Sequence, residues 1–495
     1  MKYTDFIENH ISKGMVSFHM PGHKGRRIFD VHGMGDLLND FVEGDITEIP
    51  GSDNLSQPQG IIRNVMDRYK ALYESEESFI SLGGSTLGLM AAILCAAEFG
   101  AAKASPADGA TKESSADDAA KENVIAIARN SHKSIFNGVT LSGSEQSYLY
   151  PEIHESGLVG EIKPEEVERA FTEAETNGSK ICAVVIPNPN YYGVCSDIEE
   201  IAKIVHAHDS ILIVDQAHGA HLRFMYPELS GDNKNADIVI ESTHKTLASF
   251  TQTAIANVYN KDLVSTMEEK VKLLQSTSPS YILMKSLDMN AELMEKYGRE
   301  LFESWKLNLE NTYKALEEMG INFFTDPKHD ISKILLDMSD YGLTGEELSK
   351  ELFERGVIAE LDSGRFSMCM TGIGNGKPDY ERLLLALTDI KKSRGEKASS
   401  RGQSQSVVSE LFSLMNKPRE RVKTGEAWEL ISASEAEGRV CAESIIPYPP
   451  GIPLIATGEV MDKESLDWAI AFRKGGEKVF GMTENFLVKA RKEKA

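Results

Sequence analysis

From about residue 60 to residue 260, short runs of β-branched residues alternate with segments whose apolar positions recur every three or four residues. Ile62, Val65, Met66, Tyr69 and Leu72 mark one face of a helix, and Ile198, Ile201, Ala202 and Val205 mark one side of another over 197–207. A further helix is predicted over 164–175. Between them, 78–82, 124–128, 181–186, 210–214, 237–240 and 253–258 read as strands. Strands that alternate with amphipathic helices predict an α/β fold built on a mostly parallel sheet covered on both faces.

The pattern changes on either side of this region. Residues 1–60 open with a short helix and turn rich in glycine and proline, which predicts an N-terminal arm with ordered loops. A long helical stretch over about 282–317 bridges the large domain, 61–290, to a smaller α/β domain, 291–393. Residues 394–406, charged and rich in Ser and Gln, read as a linker, and 407–495 as a C-terminal α+β domain. Within the large domain, 101–122 carry no aromatic residue and are rich in Ala, Ser, Asp and Lys, which predicts a disordered surface insertion. The basic end, 489–494, reads as a solvated helix terminus.

Composition narrows the function classes. A chain of 495 residues with 41% hydrophobic and 26% charged residues is a globular protein of two to four domains. A formal charge of −23 argues against nucleic acid or an anionic membrane as partner and favours cationic small molecules, although acidity also serves solubility alone. Cys95, Cys182, Cys195, Cys369 and Cys441 are scattered, with no Cys-x-x-Cys pair, which fits a reducing compartment and no structural metal. The N-terminus carries acids where a signal peptide needs an apolar core, and the longest apolar run, 87–97, is too short to span a bilayer. The expected location is the cytoplasm.

Chemistry concentrates at predicted strand ends. Lys245 lies in Glu241-Ser-Thr-His-Lys-Thr-Leu247, just after the strand over 237–240, and a lysine that is partly deprotonated by burial and neighbouring cations traps carbonyls. Taken alone it reads first as a solvated surface lysine, as most lysines after strands are. A second strand ends in Asp215, thirty residues earlier, where an anion can hold a pyridine nitrogen protonated. Gly83-Gly-Ser-Thr-Leu-Gly88 opens a helix, and its backbone N–H groups with the Ser85 and Thr86 hydroxyls suit a phosphate; by itself it is also an ordinary N-cap.

Met20-Pro-Gly-His-Lys-Gly25, Asp45-Ile-Thr-Glu-Ile-Pro-Gly51, Arg129-Asn-Ser-His-Lys-Ser134, Asp215-Gln-Ala-His218, Ser242-Thr-His-Lys245 and Tyr448-Pro-Pro-Gly-Ile-Pro453 stand in one order. In these stretches the chain resembles the ornithine/lysine/arginine decarboxylase family, pyridoxal 5'-phosphate enzymes of fold type I, the aspartate-aminotransferase-like fold. The resemblance covers nearly the whole chain and implies α-decarboxylation of arginine, lysine or ornithine to agmatine, cadaverine or putrescine. It implies a Schiff base on Lys245, Asp215 at the ring nitrogen and His132 stacked on the ring, with Ser85, Thr86, Ala217, His218, Ser242 and His244 as further cofactor contacts. Ser276 and Thr277 fall in a loop that in the family reaches the cofactor phosphate of a partner subunit, so a homodimer or larger homo-oligomer is expected. The arm would bring His23, Lys24 or Glu48 near the pocket. For the basic end of the substrate the candidates are Glu48, Glu443 and Glu459, with Glu360 and Asp362 next. Two positions depart from the family pattern: Gln216 stands where Glu is usual, and Asn190 where threonine is common. The chain resembles the short form, without an N-terminal wing. Other readings are an aminotransferase or aldolase of the same fold type, and a catalytically silent regulatory homologue.

Overall fold

Successive residues of the central strands enter two different cores. Ile125, Ile127, Ala183, Val185 and Ile213 pack on one face with Ile62, Val65 and Met66, while Val124, Ala126, Val184, Ile186, Leu212 and Val214 pack on the other with Val167, Phe171, Ile198 and Val205. Side chains alternate along a strand with period two, so a run apolar at every position has to be covered on both sides.

The fold is that of a computed structural model describing residues 3–39, 41–104, 123–232, 235–395, 405–422, 427–448 and 451–492. Counting from β1 (Val16–Phe18) in the arm, the large domain holds β2 (Glu77–Ser81), β3 (Asn123–Ala128), β4 (Glu145–Leu149), β5 (Lys180–Pro187), β6 (Ile211–Asp215), β7 (Ile238–Glu241) and β8 (Ala254–Val258). They form one sheet in the order β2-β8-β7-β6-β5-β3-β4, with only β8 antiparallel to its neighbours. β4 is missing from the sequence reading: it lies at the sheet edge, and only Tyr148 and Leu149 of its five residues are buried. Helix Gly84–Ala104 is apolar on all sides because it lies under the sheet, with Leu89, Ala91, Ala92, Ile93 and Ala96 buried. By length and composition alone its first 18 residues could cross a membrane, and half of that window is buried in the core.

That helix corrects the expected insertion at its start. Residues 101–104, Ala-Ala-Lys-Ala, are good helix formers and continue the helix, whereas 105–122 lie outside the described residues. The linker is corrected in the same way: helices Lys377–Arg394 and Gln405–Met415 enter it from both sides, and 396–404 lie outside the described residues.

Helix Tyr281–Met319 carries the chain into the small domain. There β9 (Asn322–Phe323), β10 (Lys333–Asp337), β12 (Leu361–Ser363) and β13 (Phe366–Met370) form an antiparallel sheet, while β11 (Val357–Ala359) pairs in parallel with β1 of the arm. The arm then wedges against the end of β7: Gly22 N donates to His244 O at 2.7 Å, Gly374 N donates to Gly22 O at 2.9 Å, and a Cβ at position 22 would collide with Leu247 O.

The C-terminal domain pairs β14 (Trp428–Ser432) with β17 (Leu487–Arg491) and β15 (Ile446–Tyr448) with β16 (Lys478–Phe480), beside helix Lys463–Lys474. The expected helix terminus over 489–494 is therefore a strand through Arg491. Val488 and Ala490 are buried while their charged neighbours point outward, which is the period of a strand rather than a helix. Pro449 and Pro450 of the Tyr448-to-Pro453 motif lie outside the described residues.

Candidate active site

β6 and β7 run parallel with Asp215 level with Ile240, so their carboxyl ends open at one edge of the sheet. Such an edge is where a doubly covered sheet leaves a crevice. Asp215 closes β6, and Ser242 leads from β7 into the single turn Thr243–Thr246 that carries Lys245. This turn is fixed from below by hydroxyls, Ser249 donating to Thr243 Oγ1 and Thr253 to Ser249 Oγ, both at 2.7 Å. It is fixed from above by the arm at His244 O and by Ile373 N, which donates to Thr246 O at 2.8 Å.

Asp215 is 6% exposed, and among the described residues its carboxylate accepts one hydrogen bond, from Ala217 N to Oδ1 at 3.2 Å. Burial raises its carboxyl while the charge of Lys245 pulls it back. Lys245 Nζ is 3.0 Å from His218 Nε2, and the Tyr191 ring packs edge-on against His218 with 4.9 Å between centroids. Burial lowers the Lys245 amine; Asp215 and Glu360 oppose that shift and Lys333 adds to it. Burial, Lys245 and Lys333 together hold His218 well below its usual range, so its imidazole is neutral. A half-buried lysine whose amine is lowered by burial, at the same sheet edge as a buried carboxylate, is suited to capture a carbonyl.

The turn from β2 into helix Gly84–Ala104 forms a cradle suited to an anion. Gly84 has φ +70, which lets the backbone turn directly from β2 into helix Gly84–Ala104. Ser85 is half-buried and Thr86 exposed at its first turn. Two glutamines hold the cradle: Gln275, which heads the phosphate-loop stretch, accepts from Leu82 N at 2.8 Å and donates to Ile80 O at 3.0 Å, and Gln252, which the sequence does not single out, donates to Leu82 O at 2.9 Å. Gln275 thereby brings its exposed neighbours Ser276 and Thr277 to the same corner. Among the described residues the buried hydroxyls of Ser242 and Thr246 have no partner, and with the free side of Asp215 they leave unspent polar capacity around Lys245. These residues fit pyridoxal phosphate.

The remaining candidates separate. His132 caps helix Lys133–Ser142, its Nδ1 accepting from Ser134 N, and its ring is open to solvent on one side; crowding by protein, Lys245 and Lys133 lowers it to about 4. His244 is buried, donates from Nδ1 to Thr253 O at 2.7 Å and is lowered to about 4, first by burial. Gln216 donates to Glu241 Oε1 at 2.8 Å and accepts from Gly231 N at 2.7 Å, so a glutamate there would set two buried carboxylates against each other. Asn190 holds its own loop, donating to Val159 O and Gly160 O and accepting from Tyr192 N and Val194 N.

Of the substrate candidates, Glu48 is exposed and bonded by Asn54, and Glu443 is exposed and paired with Lys489 at 2.8 Å. Glu459 is fully buried away from solvent, taken up by Tyr148, Ala456 N, Arg129 and Arg419. That carboxylate is already neutralised within the fold, which removes it as a substrate anchor. Asp362 is half-buried, and burial and Glu346 raise it. Glu360 has a side chain only 2% exposed, accepts from Met20 N at 2.9 Å, lies 3.6 Å from the His19 imidazole, and acts electrostatically on Lys245, Lys24 and Tyr191. Of the substrate candidates it is the one whose charge acts on the Lys245 amine. Nothing local in Ala359-Glu-Leu361 announces it. Tyr191 was legible only as part of a strand-end loop.

Residues 3–102 and 109–331 match the family model of the Orn/Lys/Arg decarboxylase major domain, and 404–486 that of the Orn/Lys/Arg decarboxylase C-terminal domain. An arginine decarboxylase of Bacillus subtilis (strain 168) is 29% identical over 97% of this chain and 95% of its own length. Among solved structures, lysine decarboxylase A from Pseudomonas aeruginosa superposes with TM-score 0.74 at 20% identity, covering 98% of this chain and 80% of that one. A serine palmitoyltransferase from S. paucimobilis with bound PLP has TM-score 0.55 at 11% identity, over 77% of this chain and 88% of that one.

Proposed function

The chain belongs to the Orn/Lys/Arg decarboxylase family, and from that premise we propose that it is a pyridoxal-phosphate-dependent enzyme removing the α-carboxyl group of a basic amino acid. The observation that supports this reading is that Lys245, on the turn that follows β7, and Asp215, at the end of the adjacent parallel strand β6, lie at one edge of the sheet, where the charges of Asp215 and Glu360 both act on the lysine. The cofactor, when bound, supplies an aldehyde for the lysine and a ring that takes up the electron pair left as carbon dioxide departs.

The protein supplies charge and orientation. Asp215 keeps one side free for a protonated ring nitrogen. The first turn of helix Gly84–Ala104, with Ser85 and Thr86, offers N–H and hydroxyl donors to a phosphate at the positive end of the helix dipole. Lys245 is the nucleophile, kept partly neutral by burial. Glu360, with one backbone donor and a half-exposed imidazole as its partners, has lone pairs left for the cation at the far end of the substrate. Ser276 and Thr277, brought to the corner of the Gly83-Gly84 turn by Gln275, add hydroxyls for a cofactor phosphate, that of this chain or, as the family resemblance implies, that of a second copy. Val31, Leu37, Phe41, Val42, Ile49 and Ile61 are exposed along the arm and its approach to the large domain, an apolar face that a homodimer would cover. Five free, buried cysteines support a cytoplasmic location.

Carbon dioxide release measured across arginine, lysine and ornithine tests the reading. Arginine is the first to try, being the substrate in the name of the Bacillus relative. Release from one of the three, abolished in Lys245→Ala together with a borohydride-sensitive visible absorbance, is expected. Oxo-acid formation without carbon dioxide would make the protein an aminotransferase, and no turnover of any of the three would make it a silent homologue.

A further inference from the structure

The small domain sends a buried cation under the active-site loop. Lys333, the first residue of β10, is 0% exposed, and its Nζ donates to Asp330 Oδ2 at 2.7 Å and to the backbone oxygen of His218 at 3.1 Å. Asp330 is equally buried and also meets His221 Nε2 at 3.1 Å and Ser332 N at 3.0 Å. Its carboxyl is raised by burial, but Lys333 and His221 outweigh that and hold it well below its usual range. His218 and His221 belong to the loop that leaves Asp215, so this ion pair reaches that loop from another domain at two points.

His218 has few other restraints. Among the described residues its buried Nδ1 has no partner, its Nε2 meets Lys245 Nζ at 3.0 Å, and the Tyr191 ring packs edge-on against it. We propose that Lys333 is a positioning residue for the nucleophile: by holding the His218 carbonyl it fixes the imidazole against which the Lys245 amine rests. A buried pair that only braced the small domain would have no need to end on that carbonyl. The titratable groups that touch Lys245 or interact with it electrostatically are Asp215 at the end of β6, His218 in the loop that follows, His132 after β3, Glu360 after β11, Lys333 on β10 and His244 on its own turn, so Lys333 is the one further cation among the described residues of this set.

This inference rests on the assignment of Lys245 as the cofactor-bearing lysine. Its test is a pH titration of the visible absorbance band of the holoenzyme, with thermal unfolding measured alongside. Asp330→Asn combined with Lys333→Met removes both buried charges, and the midpoint should rise by about one pH unit because the Lys245 nitrogen loses a neighbouring cation and its fixed imidazole. Asp330→Asn alone leaves Lys333 uncompensated, and the midpoint should fall. A wild-type midpoint in whichever of these variants folds overturns the proposal and leaves Lys333 a structural pair. A band that survives Lys245→Ala overturns the assignment of Lys245 and this inference with it, whereas a band lost in Lys245→Ala but unmoved by the Asp330 and Lys333 variants overturns the inference alone.

Discussion

Two seams of the molecule bury a glutamate and use it differently. Where the C-terminal domain meets the central sheet, Glu459 accepts from Tyr148 OH at 2.7 Å and Ala456 N at 2.8 Å, with the guanidinium groups of Arg129 and Arg419 at 3.5 and 3.8 Å. Arg129 reaches past it to Pro453 O and Leu454 O, so the cluster welds the domain to the end of β3. Where the arm meets the small domain, Glu360 has Met20 N at 2.9 Å and the His19 ring at 3.6 Å, and among the described residues no Lys or Arg forms an ion pair with it. One carboxylate is fully spent on the fold and the other is held in place but left with capacity. Burial therefore does not mark a ligand site; unspent hydrogen bonding at a buried charge does.

The contrast can be broken at either seam. Glu459→Ala leaves Arg129 buried without its carboxylate, and the expected loss is about 3–5 kcal/mol in urea unfolding, with KM unchanged in the protein that remains folded. Glu360→Gln should leave the unfolding midpoint close to that of wild type and raise KM for the basic amino acid roughly ten- to hundredfold, the value of a hydrogen bond to a charged group. If the two substitutions exchanged these effects, Glu360 would be the weld and the specificity carboxylate would have to be sought elsewhere.

How far the sequence could be read follows from the same distinction. Asp215, Lys245 and the Gly83-Gly84 turn were legible because each follows directly on an apolar strand, where local pattern and function coincide. Glu459 lacks that coincidence: its neighbours in sequence resemble a motif, while its hydrogen bonds are set by Arg129 and Tyr148, more than 300 residues away. Glu360 and Lys333 carry no local signal at all: one is a glutamate between two short strands, the other a lysine heading Ile-Leu-Leu. The edge strand β4 and the terminal strand β17 were missed for a related reason, since charges and amides at their outward positions interrupt the apolar run on which a strand is recognised.

The smallest effect is also the one whose sign separates the seams. Asp462 caps helix Lys463–Lys474 through Ser465 N at 3.1 Å and accepts from Arg419 Nε at 2.8 Å, which ties it into the Glu459 cluster. Burial opposes its charge, but Arg419 and the cap outweigh burial and lower its carboxyl from 3.8 to about 2. A folded-state value below the unfolded one means that the stabilisation is fully present above pH 3.8 and is lost as the pH falls through about 2; its size is about 2 kcal/mol. Asp462→Asn retains a capping side chain and removes the charge. Wild type and variant should therefore differ by about 2 kcal/mol in urea unfolding near neutral pH and converge on acidification. Lys24, at the other seam, behaves in the opposite sense: burial lowers its amine from 10.5 to about 8, so the cost of holding it charged is relieved as the pH rises from 8 to 10.5. Lys24→Met should accordingly gain on wild type at neutral pH, less the hydrogen bonds from Nζ to His19 O and Met370 O, and should lose that advantage in alkali. An Asp462→Asn deficit that persisted at pH 2 would mean that the cap geometry, rather than the charge on Arg419's partner, holds the C-terminal seam.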